Sequence, residues 1–475
     1  MRIPDPMLDA WASLVRRRPG HPLVLAIERA TAVGEVEQLA RDCTNQAMEL
    51  PVGGEVVALA ADNGPGFLAA FLGLRRAGCV VLLLDARAPR GRQGALAASL
   101  GARAIAEVRE PWPRTASWLV LTRSGSQQAA ALRLPTDVAV LKLTSGSTGA
   151  ARAVAVSAEA LVADDRQLAT TMRLHPDERI LAAVPLSHSY GFSSVVLPAL
   201  LRGSPILVPD LRRPWGALTT AHRLAATFVP AVPALLDAVA RARRPPPPSA
   251  DLRLLVSAGA PLLPATARAV RERWGRSVHA FYGASECGGI AFDREGRAAE
   301  RGSVGTPVEG VTIDLESEDA TGPRRVTVRS AAVAATYFPL PQPELCGGVY
   351  RTADLAAWRD GELVLRGRVD DVINVKGKKV HPGDVEEVIR RVPGVLDVMV
   401  LAAPAPGGGD LVKAVVVPGD RGLDPEAIRR FSQAHLADHQ VPRSVILVAE
   451  LPRNARGKLD RDAAREVAEL APAAR

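Results

Sequence analysis

Residues 140–154, VLKLTSGSTGAARAV, begin with apolar residues and then break into glycines and hydroxyls. The apolar opening reads as the end of a β-strand. Thr144, Ser145, Gly146, Ser147, Thr148 and Gly149 read as a loop. Its glycines can turn backbone N–H groups toward an anion, and its hydroxyls add donors. The spacing is not the GxxxxGK[ST] of the Walker loop. Taken alone, the stretch is either a phosphate loop or a plain polar turn. SAEALVADDRQLATTM at 157–172 has a helical pattern, so the expected order is strand, loop, helix.

The same rhythm extends outward. GEVVALAA (54–61), GPGFLAAFLGLRRAG (64–78) and CVVLLLD (79–85) read as strand, helix, strand. It recurs at RILAAVPL (179–186), SPILVP (204–209), ATFVP (226–230) and LRLLVSAGA (252–260). Short apolar runs separated by helical stretches imply a largely parallel sheet. RARRPPPPSA (241–250) is a proline-stiffened connector. From about residue 300, GSVGTPVEGVTIDLE, RRVTVRS and GELVLRGR alternate with period two. After GRVDD (367–371) the pattern becomes a compact β/α mixture. The expected fold class is α/β. A large N-terminal domain, 1–369, has several subdomains with mainly parallel sheets and a β-rich part at about 300–369. A small α+β lid domain follows over 370–475.

The chain has 475 residues, 47% hydrophobic and 23% charged, which is the balance of a soluble globular protein. No apolar run is long enough to span a bilayer. The first twenty residues lack a signal core, and a cytoplasmic location is expected. The four cysteines are scattered, with no CxxC pair, so neither a disulfide framework nor a zinc site is expected. The formal charge of +8 comes from arginines spread along the chain, without a basic stripe that would indicate nucleic acid. Of the 59 basic residues only six are lysines, and five of those lie between 376 and 458. Each lysine is therefore a marked choice.

Four further segments accompany the loop: FYGASE (281–286), YRTADL (350–355), GRVDDVINVKGKKVHPGDVEE (367–387) and LPRNARGKLDR (451–461). FYGASE reads as a short loop after a strand, and YRTADL places Asp354 in a turn. In this order the set resembles the adenylate-forming (AMP-binding) superfamily, of the acyl-CoA synthetase and aryl-acid adenylating type, over nearly the whole chain. The resemblance implies two half-reactions. A carboxylate attacks the α-phosphate of MgATP to give acyl-AMP and pyrophosphate, and a thiol then displaces AMP. It also implies a mobile C-terminal lid.

Residue roles follow from the same resemblance. Residues 144–149 would hold the β- and γ-phosphates. Tyr282 and Gly283 would sit against adenine, lined by Ser257, Gly259, Ala260 and Pro261. Ser285 would touch the α-phosphate, and Glu286 would ligate Mg²⁺. Asp354 would accept from the ribose hydroxyls, Arg368 would reach the ribose or phosphates, and Asp370 would be the hinge. Lys458 would bridge the attacking carboxylate and the α-phosphate, a fixed countercharge where two anions meet. In the lid-rotated state Gly377 would admit pantetheine, with Lys376, Lys378 and Lys379 near CoA phosphates or a carrier protein.

PLSHSYGFSSVV (185–196) resembles the acyl-pocket segment. It carries no Asp to pair a substrate ammonium, which favours an uncharged fatty or aryl acid. His188 matches a histidine near the carboxylate. Tyr190, Phe192, Phe228, Val229, Gly288 and Gly289 could shape the pocket. No carrier domain follows Lys458, so the thiol is expected from outside: CoA first, a discrete acyl carrier protein as the alternative. Two departures stand out. The family's G-x-P-K-G becomes Gly149-Ala150-Ala151-Arg152-Ala153, in which Arg152 keeps the charge and could fork two phosphate oxygens. Ala353 replaces the glycine before Asp354, which is conservative if its φ is negative. These departures motivate a third reading, a non-catalytic nucleotide- or acyl-binding member.

Overall fold

A computed structural model describes residues 5–50, 52, 54–115, 117–124, 134–144, 151–213, 215–316, 323–375, 378–404, 410–419, 422–453 and 459–470. It has the expected α/β architecture, with a large N-terminal domain and a smaller C-terminal one. Two large sheets dominate the N-terminal domain. In the seven-stranded sheet, Val56–Ala60 lies between Val80–Leu84 and Ala104–Val108, and Val80–Leu84 also pairs with Val138–Leu143. All these pairings are parallel. Val56–Ala60 and Val80–Leu84 are buried along their full length, as strands covered on both faces must be. The nine-stranded sheet runs parallel from Pro22–Ala26 through Ile206–Leu207, Ile180–Leu181, Phe228–Ala231 and Leu254–Ser257 to His279–Ala284. Antiparallel strands close its edges.

Alternation along each strand sorts side chains into layers. Val57, Leu59, Val81, Leu83 and Val140 share one core with Ile180, Phe228, Val256 and Ile290 of the other sheet. Helices Pro6–Arg17, Val33–Met48, Pro65–Arg76 and Ala158–Met172 contribute to that core. The intervening residues Val56, Val80 and Leu82 face one outer core, and Leu181, Val229 and Leu255 face another.

The β-rich subdomain is a five-stranded antiparallel sheet that includes Thr312–Glu316, Arg324–Arg329, Val349–Arg359 and Glu362–Arg368. In the C-terminal unit Val395–Pro404 pairs with Asp410–Pro418, and that strand pairs with Ser444–Leu447. Val398 and Val400 pack against helices Pro382–Ile389 and Pro425–His435, while Met399 and Leu401 pack toward Arg461–Leu470.

Three local expectations change. The TSGSTG segment joins two antiparallel strands, Val138–Leu143 and Ala153–Ser157, rather than a strand and a helix. AVAVS is itself a fully buried strand, and the helix starts only at Ala158, capped by Ser157. FYGA is the end of strand His279–Ala284, not a loop. Asp354 lies within the long strand Val349–Arg359, not in a turn.

Candidate active site

Two site segments leave the nine-stranded sheet at neighbouring strand ends. Leu254–Ser257 runs into the SAGAP loop and His279–Ala284 into Ser285 and Glu286, both at the carboxyl ends of parallel strands. That is where ligands of open α/β sheets bind. Thr144 closes the hairpin by donating its N–H to Arg152 O at 3.0 Å. Ser145, Gly146, Ser147, Thr148 and Gly149 lie outside the described residues, as do Lys376, Gly377 and Lys458.

Two carboxylates organise the rest. Glu286 is buried, and Tyr337 Oη donates to its Oε1 at 3.0 Å. Tyr350 lies beside Tyr337. Tyr282 Oη donates to Asp354 Oδ2 at 2.5 Å, and an Arg368 guanidinium nitrogen reaches Asp354 Oδ1 at 3.3 Å. Asp354 and Arg368 are cross-strand partners, so the antiparallel register fixes that pair. Arg368 also reaches Asp370 at 3.5 Å. Burial, then the Asp354 charge, holds the Tyr282 phenol well above its ordinary pKa. Burial, then Glu286, does the same for Tyr337. Both remain protonated donors at neutral pH. Cys287 is pushed up by burial, then by Glu286, and stays a neutral thiol rather than a nucleophile.

Tyr337 and Tyr350 were not anticipated from the sequence. The signal was composition: the chain has only four tyrosines, and all four lie here. The fourth, Tyr190, donates to Val256 O at 3.3 Å beside the SAGAP strand.

Arg152 is engaged differently from the expected phosphate fork. Its guanidinium lies over the Tyr337 ring, 4.4 Å from the centroid, and one nitrogen donates to Gln342 Oε1 at 2.8 Å. Its Nε is buried without a hydrogen-bond partner among the described residues. Arg152 thus braces the tyrosine that donates to Glu286. Ala353 is absent from the described non-glycine residues with positive φ, so the alanine carries no backbone penalty.

The acyl segment meets the same centre. Ser189 Oγ lies 2.6 Å from Ser285 Oγ, which places His188 beside FYGASE. His188 Nε2 is 3.9 Å from Asp85 Oδ2. The Tyr190 and Phe281 ring centroids lie 6.0 Å apart, the planes tilted by 31°. Asn63 ties the segment to the other sheet and was also missed. Its amide nitrogen donates to Ala182 O and Val184 O, both at 2.9 Å, and its oxygen accepts from Leu186 N at 3.0 Å. Three of the expected pocket residues, Phe192, Phe228 and Val229, are buried. Phe192 is fully buried, edge-on to Phe71 at 5.2 Å. Phe228 and Val229 face opposite sides of their strand, so Val229 packs into the outer core.

A nucleotide fits the SAGAP side. Ser257 Oγ is buried without a partner among the described residues. Gly259 has φ +87°, a conformation that presents bare backbone where a side chain would be strained. Ala260 is half-buried and Pro261 is exposed on the same loop.

Comparison with known proteins gives this geometry its context. The sequence profile of the AMP-binding enzyme family matches residues 15–338, and that of the AMP-binding enzyme C-terminal domain matches 384–458. Feruloyl-CoA synthase of Amycolatopsis sp is 28% identical over 95% of this chain and 97% of its own. The 3,4-dihydroxybenzoate–[aryl-carrier protein] ligase of Bacillus anthracis is 28% identical over 69% of this chain and 74% of its own. ATP-bound MatB from Rhodopseudomonas palustris superposes with a TM-score of 0.81 at 22% identity, over 98% of this chain and 99% of that one. With family profiles matching both domains, the chain belongs to the AMP-binding enzyme family.

Proposed function

We propose that this protein is an ATP-dependent acid–thiol ligase that converts a carboxylic acid to acyl-AMP and pyrophosphate and then transfers the acyl group to a thiol. One observation carries the reading. Two carboxylates, each held by a phenol donor, meet at the FYGASE segment, whose Ser285 also meets the acyl segment. In this reading Asp354, Tyr282 and Arg368 hold the nucleoside. Tyr337 orients Glu286 toward the cation that accompanies ATP. Among the described residues no cluster of three or more His, Cys, Asp or Glu could hold a metal ion. Glu286 would hold the Mg²⁺ that accompanies ATP, and that ion would offset phosphate charge there. His188 and Ser189 bring the acid's carboxylate against Ser285. Lys458 supplies the countercharge as the carboxylate attacks.

The acid is proposed to be an aryl acid. PLSHSYGFSSVV carries no carboxylate to pair an ammonium, and both curated relatives above are named for aryl substrates. CoA is the proposed thiol. An aryl carrier protein is the second reading, favoured by the name of the Bacillus relative and by the exposed Lys378 and Lys379.

Pyrophosphate release with MgATP across aryl, fatty and amino acids, with and without CoA, tests this. Release is expected with one class of acid and is lost in Lys458→Ala. Sustained turnover with CoA selects CoA over a carrier. No release with any acid would overturn the reading.

A further inference from the structure

Five of the six lysines lie toward the C-terminus; the sixth is Lys142. It lies on strand Val138–Leu143, two residues before Thr144, flanked by Leu83 and Val154 of the neighbouring strands. Its side chain is 3% exposed, and its ammonium lies over the Phe192 ring, 5.3 Å from the centroid. Burial lowers the pKa of Lys142, and the charge of Asp164, on helix Ala158–Met172 and 2% exposed, opposes that shift. Asp164 Oδ1 accepts from the backbone N–H of Gly289 at 3.1 Å. Asp164 Oδ2 is buried with no partner among the described residues. A Cβ on Gly288, whose φ is +69°, would lie 2.2 Å from Asp164 Oδ1. The Gly288–Gly289 corner therefore rests directly on this carboxylate.

Asp164 sits among other charges. The neighbouring Asp165 is paired with Arg202 at 2.5 Å, and Cys287 is also close to Asp164. Arg202 thus answers Asp165, while the hydrogen bond of Asp164 goes to the Gly289 backbone. A buried charge is seldom a net gain in stability over apolar side chains of the same shape. What Asp164 fixes is position. It holds the corner that follows Glu286, and nearby Lys142 joins the strand that feeds the TSGSTG loop to Phe192 of the acyl segment.

We propose that Asp164 is a positioning residue for the acyl step. It holds the Gly288–Gly289 wall through the Gly289 N–H and so sets the fit of the acid rather than the binding of ATP. This rests on the proposed ligase reading, with those glycines lining the acyl pocket.

A four-variant cycle tests it, read as KM for acid and for ATP in the full chain, with melting temperature alongside. Asp164→Asn and Lys142→Met singly each remove one buried charged group and keep the other, and both should lower the melting temperature. The double variant Lys142→Met/Asp164→Asn removes both charges but keeps an oxygen for Gly289. It should melt near wild type with acid KM within about threefold. Lys142→Met/Asp164→Leu also removes both charges but lacks the acceptor. It should fold yet raise the acid KM about tenfold, with the ATP KM within about twofold, as expected for one lost hydrogen bond. Equal acid KM in the two double variants would overturn the proposal, as would a matching rise in ATP KM. Wild-type turnover is the separate control on the ligase reading: a flat cycle on an active wild type sinks only the positioning role.

Discussion

Tyr337 on Glu286 and Arg366 on Glu387 both place a donor on a glutamate, yet they belong to different kinds of structure. The first is a neutral phenol on a carboxylate, with the two residues 4% and 8% exposed. The second is an ion pair where the β-rich sheet meets helix Pro382–Ile389, with side chains 20% and 31% exposed. Arg359 and Asp384 join it at 3.5 and 3.9 Å. Buried neutral donors fix a carboxylate independently of salt. Half-exposed ion pairs contribute little and are screened. The proposed chemistry is held by the first kind, and the unit proposed to rotate is held by the second.

The sharpest test of this contrast is at the carboxylate itself. Glu286→Gln should reduce pyrophosphate release at least ~100-fold while the melting temperature holds, because charge is lost at a site where it acts on the transition state. Retained activity would remove Glu286 from the machinery. Tyr337→Phe should follow, lowering kcat roughly 5- to 30-fold, the worth of a hydrogen bond to a charged group. An unchanged kcat would make the tyrosine merely structural. The interior should answer to pH where the junction answers to salt. Burial pushes the Asp165 carboxyl from 3.8 up to about 6 against the pull of Arg202. Its folded state favours the neutral acid, so its contribution to folding is present below about pH 4 and is lost as pH rises through about 6. The melting temperature of wild type relative to Asp165→Asn should therefore be higher by a few degrees at pH 4 than at pH 7. A difference that does not move with pH would refute the shift. The smallest effect belongs to the junction. Arg366→Ala should change the ratio of thiol transfer to pyrophosphate release by only about two- to threefold and blunt its dependence on salt. If wild type shows no salt dependence between about 0.05 and 0.5 M, the two regions do not differ as described.

Much of this arrangement was legible in the chain. Strands such as Val80–Leu84 were visible because a run of apolar residues buried on both faces leaves an unbroken signal. The motif residues Tyr282, Glu286 and Asp354 were visible because each sits in a short local pattern. Tyr337, Gln342 and Asn63 were not, since each works alone on a partner far away in sequence. Glu286 is 51 residues from Tyr337, and Leu186 is 123 from Asn63. Periodicity carries no information at that distance. The position of Asp354 in a strand was hidden for another reason. YRTADL lacks a clear alternation, and its pairing with Glu362–Arg368 is a tertiary fact with a register shift beside Asp354. The hairpin at Thr144 was misread because a helical pattern follows so closely that the intervening AVAVS strand reads as its approach.

The confinement of tyrosine to one place has a spectroscopic consequence. A fluorinated tyrosine incorporated throughout the chain would label four positions and no others. Each resonance would report on one part of the proposed chemistry: Tyr282 on the proposed nucleoside side, Tyr337 and Tyr350 on the proposed cation side, Tyr190 on the proposed acyl side. The rest of the protein would be silent. By its own composition, the molecule offers a four-line readout of which partner has arrived.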